Sequence, residues 1–476
     1  MRILEKHAGL YTDMYQLSMA QAYFLDGRKD DSAAFYYFYR KNPFKGAYAV
    51  FAGLDDLLQI LEGLHFEVDD IEYLEENGFD KKFLAYLKDF RYRADIYSVK
   101  EGEIVFPNMP VVEVRGNIIE AQLSETLLLN MLNLSSLIAS KAVRMRLVAG
   151  DNKILTDFGM RRAHGLGAIH ASRATIVGGF DSTSNVYSAF MYDLKASGTM
   201  AHSFIQSYND EITAFRHFAE ARPDNCIVLV DTYDTLYSGI PNAIRLAHEM
   251  EERGDRLAGI RLDSGDLAYM AKNARQMLDK AGLGYVKIVA SNKVDEHVIR
   301  SLRDQDAPVD IYGIGTAVLT GQPDAALDGV YKLAMASDRP RLKLSESVHK
   351  VTFPGLKQVH RFSDHHGEFM ADAVALAEED PGEISEIHHP FEGGKSLKLQ
   401  AWLSEPLLEK MMEKGKALHR VQHPAESYEY LKNRLKRLPG EYKRFENPHI
   451  YKVGLSTKLN EMRNTLIRNF KQRKST

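Results

Sequence analysis

Arg261 and Asp263 stand two residues apart where the apolar run Leu257-Ala258-Gly259-Ile260 ends. An extended chain repeats every two residues, so both side chains point to the same side. An arginine there can clamp a carboxylate with two parallel hydrogen bonds, and an acid beside it can hold ribose hydroxyls or Mg²⁺. A structural ion pair between the two is the plainer alternative. The tight turn Ser264-Gly265-Asp266, with its further acid, favours a site. His202 sits in a turn of small residues, Gly198 to Ser203. Such a histidine can act as base, ligand or covalent phosphate acceptor, or can simply be a hydrogen-bonded turn residue. Asp231, Asp234 and Asp263 are the candidates to orient its ring. Phe158 with Arg161 and Arg162 can stack on a flat ring and hold an anion; the alternative is a core phenylalanine beside solvated arginines. Gly178-Gly179 with Ser182-Thr183-Ser184, and Gly313-Ile314-Gly315-Thr316, are turns whose backbone N–H groups and hydroxyls suit a phosphate. Neither has the Gly-Lys-Ser/Thr ending of a P-loop or a full dinucleotide fingerprint. No His-Glu-x-x-His pattern occurs, and His365-His366 and His388-His389 read as surface pairs.

These residues need elements to hold them. Four short apolar runs between Cys226 and Thr316 end in polar clusters: Ile227–Val230 in Asp231-Thr232-Tyr233-Asp234, Leu257–Ile260 in the arginine and acids above, Val286–Ala290 in Ser291-Asn292-Lys293, and Val309–Tyr312 in the glycine turn. The first three are each followed by a helix-length stretch, the rhythm of a parallel sheet with crossover helices. Ligands bind at the carboxyl edge of such sheets. Earlier runs at Lys153–Thr156 and Ala174–Val177 bring the count to about six strands over 185 residues, which predicts a barrel-like α/β domain. Upstream, residues 9–25 read as a helix with Thr12 as N-cap, 33–39 as an aromatic strand covered on both sides, and 40–46 as a basic turn. Residues 54–88 read as helical, 95–115 as strand-rich and 119–147 as one long buried helix. Residues 342–402 read as short strands and turns, and 404–476 as charged helices. The expected division is 1–118, 119–335 and 336–476.

The chain has 476 residues, 26% of them charged, and a formal net charge of −4. That balance gives no reason to expect nucleic-acid or membrane affinity. Cys226 is the single cysteine, so neither an intramolecular disulfide nor a cysteine-based zinc site can form. No uninterrupted apolar run approaches 18 residues, which argues against a transmembrane helix. The first residues lack a signal-peptide core, so the cytoplasm is the expected location.

Six ordered motifs resemble those of nicotinate phosphoribosyltransferases. They are Thr12-Asp13-Met14-Tyr15-Gln16, Asp157-Phe158-Gly159 with Arg161-Arg162, Gly179-Phe180-Asp181-Ser182-Thr183-Ser184-Asn185, Gly198-Thr199-Met200-Ala201-His202-Ser203, Arg261-Leu262-Asp263-Ser264-Gly265-Asp266 and Gly313-Ile314-Gly315-Thr316. A weaker likeness continues to Asn447-Pro448-His449 and Val453-Gly454-Leu455-Ser456.

The resemblance implies an N-terminal α/β sandwich, an irregular TIM-like α/β barrel and a mostly helical C-terminal extension. It implies transfer of phosphoribose from phosphoribosyl pyrophosphate to nicotinate, coupled to ATP hydrolysis through a phosphohistidine, with Mg²⁺, in a homodimer with shared active sites. In its terms His202 is the phosphorylated histidine and Asp231 the acid on its other ring nitrogen. Phe158 and a partner subunit's Tyr15 sandwich the pyridine ring, while Arg261 holds its carboxylate and Thr199 lines the same pocket. Asp263 binds ribose hydroxyls. Gly315, Thr316 and Arg161 hold the 5-phosphate, and Arg40 and Lys41 reach the diphosphate from the neighbour. Ser184 stands where the nicotinamide-using branch carries an aspartate. Nicotinamide and quinolinate phosphoribosyltransferases are the rival enzymes, and an inactive barrel scaffold the rival of another class.

Overall fold

The computed structural model describes residues 6–344, 351–400 and 403–473. Two compact units divide the chain: residues 1–140 with 326–476, and residues 141–325. Residues 119–140 and 326–335 thus lie in the first unit, along with the C-terminal segment.

The second unit carries the βα rhythm. Its six strands are all parallel, in the order Ser182–Thr183, Ile154–Asp157, Ile311–Ile314, Lys287–Ala290, Gly259–Leu262 and Ile227–Leu229. The two outer strands do not pair with each other among the described residues, so the sheet is a half-barrel rather than a closed one. Six strands, two of them only two and three residues long, fall short of the eight that close a TIM barrel. The run Ala174–Val177 is not a strand. It finishes the helix Gly167–Val177, which is almost wholly buried. Periodicity cannot separate a short buried strand from a buried helix end.

In the first unit a seven-stranded antiparallel sheet has Ser32–Tyr39 as an interior strand, paired with Gly329–Ala336 on one side and Val112–Asn117 on the other. Every residue of that strand after Ser32 is buried, which explains its run of aromatics without alternation. The same sheet recruits Glu409–Glu413 and Lys416–Ala417. These two form a hairpin whose two-residue turn, Lys414-Gly415, has φ of 47° and 74°. A side chain at Gly415 would strike the Tyr92 carbonyl. The Lys/Glu-rich composition of 404–417 reads as helix, but tertiary pairing and this left-handed turn override it. Helices do form at Pro424–Arg437 and Thr457–Arg473, with the strand Lys452–Ser456 between them. The C-terminal segment is therefore largely sheet, six strands in the order Ser396–Lys398, Glu386–His388, Lys452–Ser456, Phe369–Leu376, Lys357–Ser363 and Leu403–Pro406.

Near the N-terminus the helix is Met14–Leu25, with Asp13 rather than Thr12 at the N-cap position; the Thr12 hydroxyl is buried with no partner among the described residues. Ile118–Ala149 is one helix, as its pattern predicts. By length and composition it is apolar enough to cross a membrane, but 72% of its most apolar window is buried inside the structure, the mark of a core helix.

Candidate active site

The parallel register sets the site. Leu229 lies beside Arg261, Arg261 beside Val289, Val289 beside Ile311, and Ile311 beside Ile154. Two residues further along, these strands deliver Asp231, Asp263, Ser291 and Gly313 in one row. Glycine leaves a gap in that row, and the Phe158 ring fills it. A Cβ at Gly313 would come within 2.6 Å of two ring carbons. Phe158 reaches that place because its N–H donates to the Ile314 carbonyl, continuing the ladder past the strand.

Arg261 is the node of the site. Nε donates to Ser291 Oγ at 2.9 Å, Nη1 to Thr199 Oγ1 at 3.0 Å and the Met200 carbonyl at 3.3 Å, and Nη2 to Asp263 Oδ1 at 2.9 Å. Four of the guanidinium's five N–H groups thus have protein acceptors. Its central carbon lies 5.5 Å from the centre of the Phe158 ring. Ser291 Oγ also donates to Asp263 Oδ1 at 2.5 Å. After Ser291 the chain turns through Asn292 and Lys293, both with positive φ.

His202 opens the helix His202–Gln206. Its Nδ1 is 3.1 Å from Thr232 Oγ1, and its Nε2 is 3.8 Å from Asp263 Oδ2. Its ring nitrogens therefore face Thr232 and Asp263. Asp231, expected on the ring, is instead tied to the turn beside it: Oδ2 accepts from the Asp263 N–H at 2.8 Å and the Ser264 hydroxyl at 2.6 Å. Asp231 Oδ1 is buried and has no hydrogen-bond partner among the described residues. Asp231 lies two residues past the strand Ile227–Leu229, where its carboxylate meets one backbone N–H and one hydroxyl of the turn that follows the neighbouring strand. Asp234 caps the turn after it, accepting from the Leu236 and Tyr237 N–H groups.

Asp157 is the residue that sequence reasoning did not single out. It is fully buried and accepts from the Gly159 N–H at 2.7 Å, the Ser172 hydroxyl at 2.8 Å and the Thr183 hydroxyl at 2.7 Å. Burial raises its carboxyl pKa, and the three donors work against that rise. Its carbonyl takes the Ser184 N–H at 2.7 Å. Asp157 thus fixes both the Phe158–Arg162 turn and the Ser182–Asn185 turn. An acid immediately before the Phe158-Gly159 turn was the signal available.

Arg161, in the short 3-10 turn Met160–Arg162, is exposed. Its turn packs on the glycine turn: a Cβ at Gly159 would lie 2.7 Å from the Gly315 carbonyl. Thr316 opens the short helix Thr316–Leu319. Arg161, Gly315 and Thr316 are therefore drawn to one corner of the sheet edge, and Ser184 joins the same edge through Asp157.

Tyr15, Arg40 and Lys41 belong to the first unit. Tyr15 is half exposed on the helix Met14–Leu25. Arg40 follows the strand Ser32–Tyr39, and its Nε is buried with no acceptor among the described residues. Burial lowers the Lys332 pKa; Glu125 opposes this, while Arg40 and Lys343 lower it further. Three cations thus share one neighbourhood, of which the sequence reading named only Arg40 together with the exposed Lys41. Among the described residues no group of three or more His, Cys, Asp or Glu side chains forms a metal cage.

Three family models match the chain in succession: the nicotinate phosphoribosyltransferase N-terminal domain over residues 10–133, the nicotinate phosphoribosyltransferase family over 154–349 and its C-terminal domain over 356–463. The nicotinate phosphoribosyltransferase of Bacillus subtilis (strain 168) is 42% identical over 460 residues, covering 94% of this chain and 92% of that protein. The crystal structure of human nicotinic acid phosphoribosyltransferase superposes with a TM-score of 0.85 at 30% identity, covering 96% of this chain and 99% of that one. A nicotinate-nucleotide pyrophosphorylase from Pyrococcus furiosus follows with a TM-score of 0.69 at 25% identity, covering 90% and 95%. Fold and strand edge define an α/β protein whose parallel half-barrel sheet ends in a row of polar and charged side chains. The chain belongs to the nicotinate phosphoribosyltransferase family.

Proposed function

We propose that this chain is a nicotinate phosphoribosyltransferase that makes nicotinate mononucleotide and diphosphate from nicotinate and phosphoribosyl pyrophosphate, in the salvage of pyridine rings for NAD. One observation carries the reading: the guanidinium of Arg261 lies 5.5 Å from the Phe158 ring, with Asp263 on its flank. A flat heteroaromatic acid fits that pairing, its ring against Phe158 and its carboxylate on Arg261.

The chemistry needs little from the protein beyond alignment and charge. The pyridine nitrogen's lone pair forms the bond to ribose carbon 1 as the bond to the diphosphate oxygen breaks, and the electron pair leaves with the diphosphate. Arg261 and Phe158 hold the nucleophile in line, and Asp263 takes the ribose hydroxyls. Gly315, Thr316 and Arg161 receive the 5-phosphate, Gly315 and Thr316 through backbone donors. Tyr15, Arg40 and Lys41 are contributed by the partner subunit of a homodimer, with Lys332 and Lys343 adding to the positive field around Arg40. Ser184, neutral where an aspartate would repel a carboxylate, favours the acid over nicotinamide.

Mg²⁺ fits this site as an ion that arrives on substrate phosphates. Among the described residues the buried Asp231 Oδ1 has no hydrogen-bond donor, and Asp263 stands beside it. One or two carboxylates plus phosphate oxygens are the usual Mg²⁺ environment. There the ion would neutralise phosphate charge.

ATP hydrolysis is coupled through His202. Nε2, which makes no hydrogen bond among the described residues, attacks the γ-phosphorus; ADP leaves, and water later releases phosphate. Thr232 holds Nδ1, the part that Asp231 was expected to play. We place the reaction in the cytoplasm.

The test is stoichiometry. One ADP should form per nicotinate mononucleotide, with acid-labile phosphate on His202 detectable by mass spectrometry after incubation with Mg·ATP. His202→Ala should abolish ATP turnover yet leave slow phosphoribosyl transfer. Full ATP stimulation in that variant would remove the phosphohistidine from the scheme.

A further inference from the structure

We propose that Ser291 is a positioning residue that locks Arg261 and Asp263 into one unit, so that recognition of the acceptor's carboxylate and of the ribose fail together when it is lost. The inference rests on the function proposed above and extends it to a residue without an assigned part.

Ser291 is only 1% exposed and opens the turn after the Lys287–Ala290 strand. Its hydroxyl accepts from Arg261 Nε at 2.9 Å and donates to Asp263 Oδ1 at 2.5 Å. The same Asp263 oxygen accepts from Arg261 Nη2. Three side chains from two strands thus close a triangle, and each corner is held from two directions. The Ser291 backbone is itself pinned, its N–H donating to the Leu262 carbonyl between the two residues it braces.

The triangle dictates which edge of Arg261 is open to a ligand. Nε is taken by Ser291 and one Nη2 hydrogen by Asp263. The exchangeable bonds are those of Nη1 to Thr199 and Met200, which lie in the loop between the helices Val186–Tyr192 and His202–Gln206. A ligand carboxylate takes two parallel donors, here Nη1 and the remaining Nη2 hydrogen, and displaces that loop from Nη1. Without Ser291, Nε has no acceptor, and the guanidinium can swing to satisfy it, taking Asp263 along.

Steady-state kinetics on the full chain test this. Ser291→Ala should raise the KM for nicotinate and the KM for phosphoribosyl pyrophosphate about tenfold each. The preference for nicotinate over nicotinamide should fall by a similar factor, while kcat and Tm change little. Ser291→Cys, which keeps a weak donor in the same volume, should recover part of both KM values; it also serves if the alanine variant does not fold. A rise in one KM alone, or a fall in Tm with both KM values unchanged, overturns the brace. Failure of the unmodified enzyme to use nicotinate at all overturns the functional reading itself, and is seen before any variant is made.

Discussion

Arg261 and Asp263 form a 2.9 Å ion pair at the end of one strand, yet neither is used up by it. The pair engages one Nη2 hydrogen and Oδ1. Asp263 Oδ2 is left facing His202 Nε2 at 3.8 Å, and Arg261 keeps its Nη1 edge on a displaceable loop. An ion pair in this Arg-x-Asp pattern therefore leaves room for a ligand-binding role for both groups.

Arg261→Gln should remove the charged donors while keeping some bulk. Losing hydrogen bonds to a charged group costs about 1.5–3 kcal/mol, so kcat/KM for nicotinate should drop about 10- to 100-fold. Nicotinamide, which brings no carboxylate, should lose far less. Parallel assays of both substrates check this. Equal losses would remove Arg261 from carboxylate recognition.

Gly313→Ala should displace the Phe158 ring, since the new methyl group would lie 2.6 Å from it with buried Ser291 on its other side. The expected result is a raised KM for nicotinate with Tm close to the parent, because the ring can move outward into the site rather than into the core. Unchanged nicotinate kinetics would separate Phe158 from ring binding.

Asp157→Ala would leave a backbone N–H and two hydroxyls without their acceptor. At about 1–3 kcal/mol per orphaned buried group, a loss of roughly 3 kcal/mol or more is expected in urea denaturation. Asp157→Asn keeps an acceptor and should lose less. The pH dependence carries a sign. Burial raises the folded carboxyl's pKa above its ordinary value, so the native state holds this proton more tightly than the unfolded chain. The contribution of Asp157 is therefore most favourable at low pH and declines as pH rises from near 3.8 through the raised folded value; Asp157→Asn should remove that decline.

How much of this was legible in the sequence follows from the kind of information each feature needs. The strands at 227–229, 259–262, 287–290 and 311–314 announce themselves by β-branched runs ending in polar turns, and the long helix Ile118–Ala149 by its length. The Arg261–Asp263 pair needs only period-two spacing. Asp157 and Ser291 are different, because these partners lie 15 to 30 residues away and only strand register, with the packing of the helix Gly167–Val177 for Ser172, brings them together. Thr232 rather than Asp231 meets His202 because a bend after a three-residue strand decides which of two adjacent side chains faces the ring. The 409–417 hairpin was hidden because its Lys/Glu-rich residues favour helix until the pairing of Glu409–Glu413 with Asp95–Ser98 outweighs that preference.

The most direct measurement is product formation by the purified chain with phosphoribosyl pyrophosphate, Mg·ATP and either nicotinate or nicotinamide. Nicotinate mononucleotide and diphosphate should form, with a kcat/KM for nicotinate at least about 100-fold above that for nicotinamide, the value of a well-placed charged contact. A preference for nicotinamide, or no nucleotide from nicotinate, would contradict the proposed function.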